Sequence, residues 1–355
     1  MKKQFKIFLL SFLIPFFGLA NDEEFGFSKQ KNIKKAYFVN TDAGISIDNS
    51  YGNIFVTTWD EDKIEIDVLI KVSGNSEKWV NKRIDDINVE IQALKNLVSA
   101  KTIIAQSDFY NNGNTNSFEI NYTIKIPKNG SVNLNNKYGD IITGNLTNNS
   151  NILCKYGKIT LGRLNGSNTS IELGYCPNST VEYIKNGTID ARYSGLKINE
   201  VTKLFLDSNY TDVYIGEGQN ISYDSNYGKL KFGKVNSLNA SGNYLTIHIA
   251  EIFNTLKLET NYSQISIDTI NEKANNATID IGYSNITIGY SPNYDFDFDV
   301  STKYGEFKHG NDLEINNKEE IKNAKQINGF HGKKGVNKLI INSRYGNINL
   351  IKNKN

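Results

Sequence analysis

The chain has 355 residues, 39% of them hydrophobic and 22% charged, with 20 Tyr and 18 Phe but only 4 Pro and 2 Cys. That length exceeds what a disulfide-stapled module needs, and the composition excludes wholesale disorder and collagen-like or cysteine-scaffold architectures. The formal charge of +2 falls to about −1 when Lys2, Lys3 and Lys6 leave with the leader described next, so no basic footprint remains for nucleic acid.

A basic start, an apolar run from Ile7 to Leu19 interrupted by Pro15, and the small residues Gly18 and Ala20 before Asn21 form a secretory signal over residues 1–20. Cleavage is expected after Ala20. The run is shorter than the roughly 20 residues that cross a bilayer, and no later stretch is apolar enough to do so. The mature chain is therefore expected to be exported to the periplasm, the cell surface or the medium, and not to be an integral membrane protein.

Residues 21–130 read as a mixed α+β cap. Trp59 to Val72 alternates as strand (Ile64, Ile66, Val68, Ile70, Val72), Ser76 is placed as a helix N-cap, and Trp79, Val80, Ile84 and Ile87 fall on one helical stripe. Val89 to Ala93 and Leu97 to Ile104 form a hairpin around Lys95-Asn96, a polar loop covers Tyr110 to Asn116, and Phe118 to Ile126 is a further strand ended by Pro127-Lys-Asn-Gly130.

Residues 131–352 carry a repeat. Tyr138, Tyr156, Tyr175, Tyr193, Tyr210, Tyr227, Tyr244 and Tyr262 lie 17 to 19 residues apart, followed by Tyr283 and Tyr304 at gaps of 21, then Tyr345; Tyr51 is an earlier member. Four residues before each Tyr the position is always apolar (Ile47, Leu134, Ile152, Ile171, Ile189, Leu206, and so through Ile341), and three residues after it Asn178 is the single exception. Apolar residues alternate on each side of the Tyr but with opposite parity, so a corner must lie between two strands, and the small residue that often follows (Gly52, Gly139, Gly157, Ser194, Gly228) permits it. Units this short bury their apolar faces only by stacking. The expectation is an all-β, single-stranded β-solenoid (β-helix) of roughly ten to eleven rungs at ~4.8 Å each, about 50 Å long, with Gly310 to Gly335 as a degenerate rung or protruding loop. An antiparallel meander or barrel competes, but does not require one row to keep one residue class.

Trp59 before an alternating strand, the helix from Ser76 to Asp86 before its hairpin, the Tyr122-Thr-Ile-Lys-Ile-Pro127 strand before Gly130 and the Tyr-Gly-x-Ile units together resemble the bacterial putative-adhesin family of unknown function. The likeness covers nearly the whole mature chain and implies an exported β-solenoid; it supplies no catalytic residues. Its motifs encode architecture rather than chemistry, and the Tyr row and the Gly310 to Gly335 segment depart from the simplest pattern.

Parity places the Tyr row (Tyr193, Tyr210, Tyr227, Tyr244, Tyr262) inward at the corner as a packed aromatic ladder, and Asn209, Asn226, Asn243 and Asn261 one residue earlier as an amide ladder. Three before the Tyr, Glu172, Asp190, Asp207 and Asp224 form an outward acidic stripe. It is tolerable as a solvated face and could hold a hard cation such as calcium; no other cofactor is implied. Asp295, Asp297 and Asp299 share one strand face but lack the pattern of a calcium loop, and His248, His309 and His331 lack metal-ligand spacing. Cys154 and Cys176 are offset by one rung and three residues, which in a regular stack is roughly 10 Å or more, and are expected to be free thiols. The reading that fits best is a non-enzymatic, adhesin-like scaffold facing a glycan, a cell surface or an envelope protein. A polysaccharide-acting β-helix enzyme and an envelope-sensing partner are the alternatives.

Overall fold

The computed structural model describes residues 25–105 and 116–354; the leader and most of the polar loop near Tyr110 lie outside the described residues. Almost everything described is strand, in one continuous hydrogen-bonded sheet, with a single helix at Glu77–Asp86. Ser76 caps that helix by accepting from the backbone N–H of Trp79, and Trp79, Val80 and Ile84 are its buried face.

The pairing in the middle of the chain is parallel and steps by one repeat. Ile152 pairs with Ile171, Ile171 with Ile189, Ile189 with Leu206, and Leu206 with Tyr223, so each position faces its equivalent in the next unit. Period-2 alternation buries one side of every strand, and the row four before the Tyr stays within 3% exposure in all twelve units. The exception at Asn178 is a one-residue excursion. Asn178 takes a left-handed φ of 56° after Pro177, and Ser179 moves into register with Leu196, buried, where its hydroxyl accepts from the N–H of Ile159.

The first unit lies before residue 131. Strands Gly44–Ser50 and Ile54–Trp59 pair in parallel with Val132–Lys137 and Ile141–Thr143, and the intervening segment folds over the other side of that first unit. There Leu97–Ile104 and Ser117–Pro127 add in parallel, and are in turn covered by antiparallel Ile87–Ala93, Lys63–Gly74 and Phe27–Phe38.

One expectation fails at the other end. The segment 310–335 is neither a loop nor a degenerate rung but an antiparallel hairpin, Glu314–Ile321 with Ala324–His331, whose second strand pairs antiparallel with Phe296–Lys303. The order of units is also not sequential. Strand Lys338–Arg344 sits between Ala277–Gly282 and Phe296–Lys303, and Ile348–Lys352 sits between Asn285–Tyr290 and Phe307–His309. The last unit of the chain is thus the next-to-last of the stack, with Leu339, Ile341, Ile348 and Leu350 buried in the core between its two neighbours.

Candidate functional site

The tyrosines are the most repetitive chemical feature of the surface, and their backbone explains where they point. All twelve, from Tyr51 to Tyr345, have φ between 50° and 62°, the left-handed region, at a cost of about 1–2 kcal/mol for a residue with a Cβ. That conformation turns the side chain over. The inward placement expected from parity is therefore wrong: counting by twos holds only along an extended strand, and the tyrosines are 41–53% exposed. The Tyr N–H donates to the neighbouring unit, as from Tyr193 to Asn209 O and from Tyr210 to Asn226 O, both 3.0 Å, and this offsets part of the strain.

The rings form an unbroken column. Successive centroids are 4.7–5.1 Å apart with interplanar angles of 1–23°, in the order 51, 138, 156, 175, 193, 210, 227, 244, 262, 283, 345, 304. Each inner ring covers the faces of its neighbours, so the solvent meets ring edges and phenol hydroxyls rather than flat faces. Phe118 lies against the first ring, with centroids 5.1 Å apart.

The residue after the Tyr is constrained by closeness, not by its own φ in most units. A Cβ on Gly139 would stand 1.9 Å from Gly52 O, and one on Gly346 1.8 Å from Ser284 O, so backbone meets backbone there. Where that residue is Ser or Thr, its hydroxyl accepts an N–H of the preceding unit: Ser194 from Cys176, Thr211 from Ser194, Ser284 from Ser263. One position further on, Asx side chains accept an N–H of the following unit, with Asn53 accepting from Asp140 N and Asp140 from Lys158 N. These side chains satisfy corner amides that a strand ladder leaves unpaired. The alternation of Gly with Ser and Thr after Tyr is the sequence signal that marks them.

The asparagines beside the tyrosines stack as amides: Asn243 Nδ2 donates to Asn226 Oδ1 and Asn261 Nδ2 to Asn243 Oδ1, each 3.1 Å, and Asn209 is in register with Asn226. The acidic stripe is likewise in register, Glu172 to Asp190 to Asp207 to Asp224, but cations already occupy much of it. Lys155 meets Glu172 at 2.9 Å, and Arg192 bridges Asp190 at 2.7 Å and Asp207 at 2.9 Å. The carboxylates in turn hold the Lys155 and Arg192 protons more tightly than usual, although burial of Arg192 works in the opposite direction. Among the described residues no three His, Cys, Asp or Glu side chains gather to hold a metal ion, so the calcium reading of the stripe gains no support from its geometry. Asp295 and Asp297 accept backbone N–H groups of Lys333 and Gly335.

Cys154 and Cys176 are free and buried, but the separation argument does not hold. Cys176 Sγ lies 3.1 Å from Cys154 O, because the chain departs from the strand at Cys176-Pro177 and brings that side chain back beneath the neighbouring unit. Both thiols donate to backbone carbonyls, Cys154 to Gly139 O and Cys176 to Cys154 O and Gly174 O, and the neighbouring Cys176 side chain together with burial pushes the Cys154 thiol up. His331 is the one buried histidine: Nδ1 donates to Tyr294 O at 2.7 Å, Nε2 is 3.7 Å from Asp312, and Asp312 also accepts from Tyr290 Oη. His248 pairs with Asp268 at 2.9 Å, and His309 Nδ1 donates to Gly310 O.

No family model matches the chain, and no curated protein does. Solved structures similar to it include proteins described as putative adhesins from Parabacteroides distasonis (12% identity, 90% of this chain and 97% of that one, TM-score 0.33), Parabacteroides merdae (10%, 90% and 96%, 0.33) and Bacteroides fragilis (15%, 90% and 97%, 0.23). The neighbours carry the same description as the group that the sequence resembles. No helix among the described residues is long and apolar enough to cross a membrane.

Proposed function

We propose that the protein is an exported, non-enzymatic scaffold that presents a repetitive polar surface to an extended partner, such as a glycan, a cell envelope or another protein. In this reading the parallel ladders are turns of a single-stranded β-solenoid of roughly ten to eleven rungs, and of the 21–130 region expected as a cap the segments 27–38 and 63–127 close one end. The observation that carries it is the tyrosine column, twelve half-exposed phenol edges at a constant 4.7–5.1 Å step. A compact ligand engages one or two such groups; a polymer or a surface engages many weakly, and the contributions multiply. Each column member is held in a strained backbone conformation in which Gly or Asn is cheaper, so the side chain itself is what the position retains. A glycan-cleaving enzyme needs an acid and a base free to face one bond; here three carboxylates of the outward stripe are already held by Lys155 and Arg192, which favours binding over cleavage.

Co-sedimentation of the purified mature chain with envelope fractions tests this. The expected result is retention that falls at least tenfold when Tyr193, Tyr210 and Tyr227 are all replaced by Ser in a variant with unchanged circular dichroism. Undiminished retention of that variant, or release of reducing sugar from a polysaccharide by the native chain, rejects the reading.

A further inference from the structure

A second face of the stack carries a groove of about 800 Å³ that runs across successive units from Gly187 to Thr278. We propose that this groove binds an extended neutral glycan, with Phe205 as the platform for one sugar ring. The proposal rests on the scaffold being a binding protein but not on the tyrosine column.

Phe205 is an outward residue on the strand that also carries Lys203, and it is 50% exposed. Its register partners are Thr188 on one side and Ser222 on the other. Neither has a ring, so no register partner stacks an aromatic ring on Phe205, whereas every inner tyrosine of the column has a ring on both faces. An open aromatic face matches the C–H face of a pyranose, and the side chains around it match the hydroxyls. Asn186, Lys203 and Asn220 form one aligned row beside it. The amides give and take hydrogen bonds with hydroxyls, which are both donors and acceptors, and the ammonium donates to them.

Charge decides between polymers. Lys203 and Lys257 are the only charged residues lining the groove, and neither forms an ion pair among the described residues. The acidic stripe runs two residues away along the strands, with Asp207 beside Phe205. A polyanion attracted by the lysines meets that acidic rim, and a polycation attracted by the rim meets the lysines. A neutral polymer meets no like charge on either side. The groove repeats one unit every ~4.8 Å along the stack, so its occupant is a chain rather than a single sugar.

Affinity electrophoresis of the protein, expressed with its own leader, in gels containing galactomannan, xylan, dextran or polygalacturonate tests the proposal. Retardation by at least one neutral polymer is expected. Phe205→Ala should weaken it at least tenfold and Lys203→Ala by a smaller factor, with melting temperatures unchanged because both side chains are exposed. Lys318→Ala, an exposed position on the hairpin outside both the groove and the tyrosine column, should leave it unaltered. Native affinity in Phe205→Ala, retardation by polygalacturonate alone, or retardation by none of the four overturns the groove. The scaffold reading is then judged separately, by the envelope retention of the tyrosine variant.

Discussion

The middle of the stack and its C-terminal end are built from the same unit but assembled differently. Between Ser150 and Gly282 each strand pairs with the strand one repeat later, 17 to 21 residues away, as in Ile189 with Leu206 and Leu258 with Ile279. At the end, Ile279 pairs with Ile341, and the hydrogen bond from Asn342 to Asp280 spans 62 residues. Contacts close in sequence can form one unit at a time, each adding one interface to those already made. The end cannot close that way. The unit at 296–309 has no direct strand pairing to the unit at 277–290, because 338–352 lies between them, so it joins the stack only once the last strands of the chain are in place. The difference teaches that one repeat sequence can be used both for sequential growth and for a closing device, with the hairpin at 314–331 finishing the edge in antiparallel fashion.

Matched core truncations sharpen this contrast most. Leu206 and Ile341 occupy equivalent rows and are both fully buried, and replacement of either by Ala is expected to cost about 2–5 kcal/mol. The consequences should separate. Leu206→Ala breaks the chain of interfaces in the middle and should raise hydrogen exchange on both sides of it. Ile341→Ala should raise exchange only over 277–352 and leave 150–250 protected. Equal spread of exchange in the two variants would remove the distinction drawn between the regions.

The stacked repeat was legible because its evidence is covariant with position: a row that is Ile, Leu or Val in unit after unit has one physical cause, a shared buried face. The intercalated end was not legible, because Ile341 fits the pattern equally well after Val300 or after Ile279, and pattern alone does not order units in space. The outward tyrosines were hidden for a different reason. Parity counting assumes an extended backbone, and the left-handed Tyr breaks it at the very residue being placed. The approach of Cys176 to Cys154 depends on the turn at Pro177, a local irregularity that a regular stack erases. Phe205 carries no periodic signal in the sequence, being a single exposed aromatic; only the lack of ring partners in the adjacent units marks it.

The tyrosine column runs through both regions, so the same substitution probes each. Tyr210 has a ring 5.0 Å away on one side and 4.7 Å on the other, and Tyr345 has rings 4.7 Å away on both. Removing two stacked contacts should cost about 1–3 kcal/mol in either place. Gly and Ala should differ in sign of their correction. Both lose the rings, but Gly accepts the left-handed φ without the steric penalty, so Tyr210→Gly should be more stable than Tyr210→Ala by up to about 1 kcal/mol despite its greater freedom when unfolded. Urea melts of the two variants decide it; an Ala variant that matches or exceeds the Gly variant would show that the left-handed strain is not felt.

Acid should affect the end before the middle. Burial disfavours the charged form of Asp312, but the hydrogen bond from Tyr290 and the nearby Lys352 and His331 side chains outweigh it and hold the carboxyl below its usual range. A carboxylate whose pKa is lowered in the fold contributes stability in full above its unfolded value, near 4, and loses it as pH falls through the depressed one. Exchange over 296–331 should therefore rise as the pH drops from about 4 downward, ahead of 150–250. Asp312→Asn should abolish that pH dependence. If the variant keeps it, the acid response belongs to other carboxylates.

The smallest effect is expected at Arg192, in the middle. Its guanidinium joins Asp190 and Asp207 at 2.7 and 2.9 Å, yet all three side chains are 35–49% exposed, so solvent screens the gain and ordering the long side chain offsets it. Arg192→Gln should lower stability by at most about 1 kcal/mol at low salt and by less at high salt, because what it uncovers is repulsion between two aligned carboxylates that water already tolerates. A loss near that of Leu206→Ala would mean the ion pairs, and not the buried aliphatic rows, hold adjacent units together, and the account of the middle as a stack driven by its core would fail. A loss that shrinks with added salt places Arg192 where the geometry puts it, as a local neutraliser of the stripe rather than as one of the ties between units.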